Sequence, residues 1–218
     1  AAIQTIKAAK EYDINQLQLS HEIIHDLREI KTEIVCAQVN ELVNLAHSEE
    51  IHEVLLWDHS LYDIDYYPER FRTGPGGTID LDNTEFWEWL KDDYRQMLDR
   101  VSEADGLVLT FIETGAYAER QFSKKMKSSE EKLAAVVNAI SDVLFGERKK
   151  KLYIRTFAYS EEEYKGTTGC IEYLKYDEVI LMMKETPHDF FLTHPDNYYI
   201  QKMDRPVIVE FDLGNEYS

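Results

Sequence analysis

Apolar side chains along this chain fall into short, nearly unbroken runs, separated by longer stretches in which they recur every three or four residues. An unbroken run is how a strand reads when both its faces are buried, as in a parallel sheet, whereas recurrence at i, i+3 and i+4 marks one face of a helix. Six strands are predicted: Ile14–Ser20, Glu53–Asp58, Gly106–Glu113, Leu152–Ala158, Glu178–Lys184 and Pro206–Asp212. Between them, Thr84–Glu103 sets Phe86, Leu90, Tyr94, Met97, Leu98 and Val101 on one helical stripe. Ser128–Phe145 opens with Ser128 and Glu131 at capping-box spacing and runs into Gly146 as a stop signal. Val39–His47 is a shorter amphipathic segment. Strand–helix–strand alternation implies right-handed crossovers and a parallel sheet.

Two architectures repeat that unit: an open doubly wound sheet and an eight-stranded barrel. No Gly-rich phosphate loop follows the first strand, and Gly74-Pro75-Gly76-Gly77 lacks the Lys-Ser/Thr of a P-loop and reads as a turn. The expectation is an α/β chain of the (β/α)8 TIM-barrel type with about six of its eight βα units visible. It would form one catalytic domain over residues 1–218, incomplete at the C-terminus.

Composition narrows the chemistry. The 218 residues are 44% apolar and 12% aromatic, enough for one domain with a large core. Against 42 Asp and Glu stand 24 Lys and Arg, a net charge of −18, which argues against nucleic acid and against an anionic membrane surface as partners. Most carboxylates must be solvated, so a catalytic one has to be picked out by position. Cys36 and Cys170 suggest neither a disulfide framework nor a zinc ribbon. No signal peptide and no membrane-spanning apolar run is visible, which leaves cytoplasmic and secreted mature forms both open, as well as the oligomeric state.

In parallel barrels the active site lies at the C-terminal strand ends. There the sequence sets Ser20, His21 and Glu22 after strand one, and Asp58, His59 and Tyr62 after strand two. Glu113-Thr114-Gly115 ends strand three, Arg155 lies on strand four, and Lys184 leads into Pro187-His188-Asp189. Strand six leads to Asp212, Asn215 and Glu216. Hydrolysis of a glycoside needs two carboxyl groups flanking the bond, and Glu113, Asp189 and Glu216 are candidates to converge over the mouth. Tyr62, Tyr66, Tyr67 and Phe71 offer faces on which sugar rings could stack, but most of them read as loop packing, and Trp57 reads as core or a subsite wall. A competing motif, His21-Glu22-Ile23-Ile24-His25, fits the H-E-x-x-H pattern of helical zinc hydrolases, with Glu22 as base, but lacks a visible third ligand.

Three stretches carry a family resemblance. Lys184-Glu185-Thr186-Pro187-His188-Asp189-Phe190, continuing to Pro195, resembles the Lys-x-Gly-Pro-x-Asp-Phe segment of glycoside hydrolase family 67, the α-glucuronidases. Glu210-Phe211 with Glu216-Tyr217 resembles that family's Glu-Phe-Gln-x-x-Gln-Glu-Tyr, and Arg155-Thr156-Phe157-Ala158-Tyr159 its Arg-Ala-Phe-Val-Tyr. The resemblance spans roughly residues 50–218. It implies an inverting, metal-free and cofactor-free glycosidase acting on an oligosaccharide. Asp189 and Glu216 would activate water, Glu113 would be the acid, and Arg155 and Lys184 would hold the sugar carboxylate with help from His21 and Asp58. The chain departs from the family at Thr193-His194, Asp212 and Asn215, and Glu113 falls one residue early on its strand. A sugar-binding barrel without catalysis is the remaining alternative.

Overall fold

The computed structural model describes residues 1–191 and 193–211. The strand-end positions Asp212, Asn215 and Glu216 lie outside the described residues. Six strands form one sheet: β1 (Gln16–Leu19), β2 (Glu53–His59), β3 (Gly106–Thr110), β4 (Lys151–Arg155), β5 (Ile180–Lys184) and β6 (Val207–Glu210). Their order in space is their order in the chain, and every pair is parallel. A doubly wound sheet reverses its strand order at a switch point; this one does not.

The sheet is also curled. Gln18 on β1 places its amide 3.6 Å from the Met182 sulfur on β5, and Gln16 reaches the Tyr153 hydroxyl on β4 at 3.2 Å. In a flat sheet β1 and β5 would stand about 19 Å apart, four strand spacings. Side chains touching across that interval require the sheet to curl, so the described residues form a six-stranded half-barrel.

Period-two alternation sorts the strand residues by face. Leu55, Trp57, Val108, Tyr153 and Met182 fill the concave interior. Leu56, Leu107, Leu109, Ile154, Leu181 and Met183 face outward and join the large core beneath the helices. Those helices are α1 (Ala2–Ala9), α2 (Glu33–Ser48), α3 (Thr84–Arg100), α4 (Ser129–Val143) and α5 (Glu161–Gly169). Ser128 accepts the Glu131 amide at 3.2 Å, so the predicted capping box opens α4.

Several boundaries differ from the sequence reading. β3 ends at Thr110 and β4 at Arg155, each three residues short of expectation. Phe111 and Ile112 are buried beyond the strand end, and an apolar run cannot distinguish a strand from a buried rim. Helix α2 begins six residues before Val39, and α1 and α5 were not anticipated. Gly-rich α5 is held by its start: Ser160 accepts the Glu163 amide, and Glu161, Glu162 and Glu163 favour the positive end of the helix dipole. Gly146 sits inside a π turn (Leu144–Arg148), and the left-handed residue that ends the helix is Lys149, with φ 53°. Among the described residues no α-helix joins β5 to β6, and none is long and apolar enough to cross a membrane.

Gly106 starts β3 against β4. A Cβ there would lie 2.3 Å from the Lys151 carbonyl oxygen. Backbone cannot swing aside as a side chain can, so Gly106→Ala is expected to cost about 1–3 kcal/mol in urea unfolding.

Candidate active site

The upper inner layer of the half-barrel is polar. Register aligns His59 with Thr110, and Lys184 with Glu210, while Arg155 at the end of β4 pairs with Met182. Beneath them Trp57 forms a floor: the Arg155 guanidinium lies 5.2 Å from its ring centre, and the His21 ring centre 5.1 Å from it. Arg155 is bound two-pronged by Glu210, with its Nε donating at 2.8 Å. Lys184 donates to Asp189, whose Oδ1 also accepts the Phe190 amide at 3.0 Å. Both cations lie over the Phe157 ring, Arg155 at 4.9 Å and Lys184 at 3.7 Å from its centre. Burial holds the Lys184 ammonium below its ordinary value despite Asp189, and Arg155 pushes the same way.

Two residues on this rim adopt left-handed backbone conformations: His21 (φ 50°) after β1 and Glu113 (φ 59°) after β3. Such conformations are uncommon outside glycine and persist where surrounding structure imposes them. The turn aims Glu113 at Tyr159, whose hydroxyl donates to its carboxylate. The Tyr159 carbonyl in turn meets His188 Nε2 at 2.6 Å, beside Asp189. Tyr159 thus links the ends of β3 and β5. Burial, with the nearby charges of His25 and Arg155, holds the His21 imidazole below its ordinary value against the opposing pull of Glu113.

Of the residues expected at the mouth, His21, Glu113, Arg155, Lys184 and Asp189 share this rim. Asp58 does not join them. It is fully buried and faces the helix layer, accepting the Leu27 amide (2.9 Å) and the hydroxyls of Tyr62 (2.8 Å) and Tyr94 (2.6 Å). It belongs to the scaffold. One position on a strand reverses the face, and Asp58 is one position from inward-facing Trp57. The zinc-helix reading also meets a correction: residues 21–26 run as turns and bends, so His21 and His25 are not one helical turn apart on a shared face. Among the described residues, the metal-capable donors that come together are His25, Asp26 and His59.

Glu210, His59 and Tyr159 had no assigned role from sequence. The first two were within reach of parity counting, because they alternate with Ile208 and Trp57. Tyr159 was not, since it acts from a loop. The aromatic loop behaves as packing: Tyr62, Tyr67 and Phe71 are buried, with Tyr67 and Phe71 against Phe86 and Trp89. A separate cleft of about 300 Å³ lies between α4 and α5, lined by Glu119, Leu133, Ser160 and Thr167, outside the barrel interior.

No protein-family profile matches the chain, and no curated protein sequence matches it. Among solved structures, the homocysteine methyltransferase of Escherichia coli in its apo form superposes with a TM-score of 0.50 at 10% identity, covering 98% of this chain and 72% of that one. A GH138 enzyme targeting pectin rhamnogalacturonan II gives 0.48 at 12% identity, covering 85% of this chain and 22% of that one. The endo-β-N-acetylglucosaminidase of Cordyceps militaris in its apo form gives 0.46 at 11% identity, covering 96% and 71%. This chain therefore spans about a fifth of the length of the GH138 enzyme. None of the three is an α-glucuronidase. At such identities the likeness is one of fold, and a methyltransferase shares it, so the chemistry has to be argued from the site.

Proposed function

We propose that the chain carries the active site of an inverting glycoside hydrolase acting on a uronic-acid-bearing or related oligosaccharide. The observation that supports this reading best is one rim, built from the ends of four strands, that holds His21, Glu113, Arg155, Lys184 and Asp189 around an aromatic floor. Glu113 gives its proton to the leaving glycosidic oxygen. Asp189, with Glu216, takes the proton of a water that attacks the anomeric carbon from the opposite face. Arg155 and Lys184 attract the uronate carboxylate, Arg155 through its planar fork and Lys184 as a point charge.

The test is to incubate the purified chain with aldouronic oligosaccharides and follow the anomeric proton signals by NMR from the first turnovers. The anomer opposite to that of the substrate is expected first. Accumulation of the same anomer, or no turnover on any uronic oligosaccharide, removes the proposal. A binding-only barrel is the second reading. It is favoured by the ion pairs that already occupy both rim cations, and it predicts a calorimetric binding signal without product.

A further inference from the structure

We propose that His25, Asp26 and His59 form a binding site for a divalent transition-metal ion, with zinc the best fit. The inference is independent of the glycosidase reading and departs from the metal-free expectation. The three residues come from two places far apart in sequence: the loop after β1, and the inward-facing last position of β2. One oxygen is common to them. Asp26 Oδ1 lies 2.7 Å from His59 Nδ1 and 3.6 Å from His25 Nδ1. The bland explanation is a hydrogen-bonded Asp–His pair, and it accounts for His59. For His25 it offers only a longer contact, 3.6 Å, within ion-pair range but beyond a hydrogen bond. The His25 ring also stacks on His59, with centres 4.4 Å apart and planes 28° apart, which keeps its Nδ1 near the same oxygen.

One donor atom from each of the three residues lies within 4.8 Å of the other two, close enough for a single cation to draw them together. With metal–ligand bonds of about 2.0–2.1 Å in tetrahedral arrangement, neighbouring donors stand about 3.3 Å apart. The His25 contact is already close to that value, and the His59 contact has to open by about 0.6 Å to reach it. The carboxylate is held from behind, since Arg28 Nε donates to Oδ2 at 2.9 Å and leaves Oδ1 toward the imidazoles. The loop is held as well: the amides of His25 (3.2 Å) and Asp26 (2.9 Å) both donate to the Glu29 carboxylate. Such support around the ligands is what orients a metal site. Two imidazoles and one carboxylate suit zinc and its first-row neighbours; calcium and magnesium prefer oxygen shells. Three protein donors leave a position for water or a substrate oxygen. Solvent access is through the exposed His25, while His59 is only 2% exposed.

The test uses the full chain, treated with a chelator, dialysed and titrated with Zn2+ and with Co2+. One equivalent is expected to bind, with a Co2+ visible spectrum of low coordination number and a raised thermal midpoint. His25→Ala changes an exposed side chain and is expected to fold normally, yet to weaken binding at least about 100-fold; Asp26→Asn should do the same. His47→Ala removes a His–Asp pair, with Asp105, at the opposite end of the barrel, and is expected to leave binding unchanged. Absence of saturable one-equivalent binding, or binding by His25→Ala at the parent affinity, overturns the proposal.

Discussion

Replacing Asp189 by Asn is expected to lower glycoside turnover by about 10²- to 10⁴-fold, the usual worth of a positioned acid or base. The amide keeps the shape of the carboxylate but cannot accept the proton of the attacking water. Glu113→Gln is expected to cost a similar factor on natural oligosaccharides, with a different dependence on the leaving group. A sugar linked to a good leaving group needs little protonation, so Glu113→Gln should recover much of its rate on an activated aryl glycoside, while Asp189→Asn should not. Comparing kcat on the two substrate types separates the roles. Asp189→Asn also leaves the buried Lys184 without its counter-charge, so thermal midpoints must accompany the kinetics. Glu113 is exposed, and its variant supplies the control that folding does not confound. Parent-level turnover in both variants would rule out the assigned chemistry.

The largest structural effect is expected at Asp58. Asp58→Ala leaves the Leu27 amide and the Tyr62 and Tyr94 hydroxyls without an acceptor in the core. At about 1–3 kcal/mol for each buried unpaired group, partly relieved by relaxation, the expected loss is about 3–5 kcal/mol. For a chain of this size the thermal midpoint should fall on the order of 10 °C. Asp58 also makes stability depend on pH. Burial raises its carboxyl from 3.8 to about 6, against the lowering pull of the hydrogen bonds from Tyr94, Leu27 and Tyr62. Between those two values the folded chain binds more protons than the unfolded one. The contribution is therefore fully present below pH about 4 and is lost as the pH rises through about 6, a change of about 3 kcal/mol. Urea midpoints across this window should show that component in the parent protein and lack it in Asp58→Asn. Parallel profiles for the two would refute the assignment.

Much of the architecture is legible in the chain. Unbroken apolar runs such as Val54–Trp57 and Leu107–Leu109 locate strands buried on both faces. The stripe of Phe86, Leu90, Tyr94 and Met97 locates a helix, and Ser128 with Glu131 locates its successor's start. Arg155, Lys184 and Asp189 were legible as polar groups where parallel strands end. The short helix α5 was not, because its Gly and Thr residues favour no helix and its stability comes from its cap and its packing. Nor was the left-handed turn at Glu113, since nothing about a glutamate announces a conformation that its surroundings impose.

What the sequence by itself determined is the six strands, the helices of the Phe86 stripe and of the Ser128 capping box, and the end of the sheet at which chemistry collects, because burial periodicity and strand direction are local properties written residue by residue. What only the tertiary structure decided is which of those groups meet. Asp58 turns into the helix layer while His59 turns into the barrel; His59 finds Asp26 across 33 positions of chain, and Arg155 finds Glu210 across 55. Those meetings depend on strand register and on the curl of the sheet. Both are set by the packing of all six strands together, and a one-residue change in register would send each of these side chains to the opposite face.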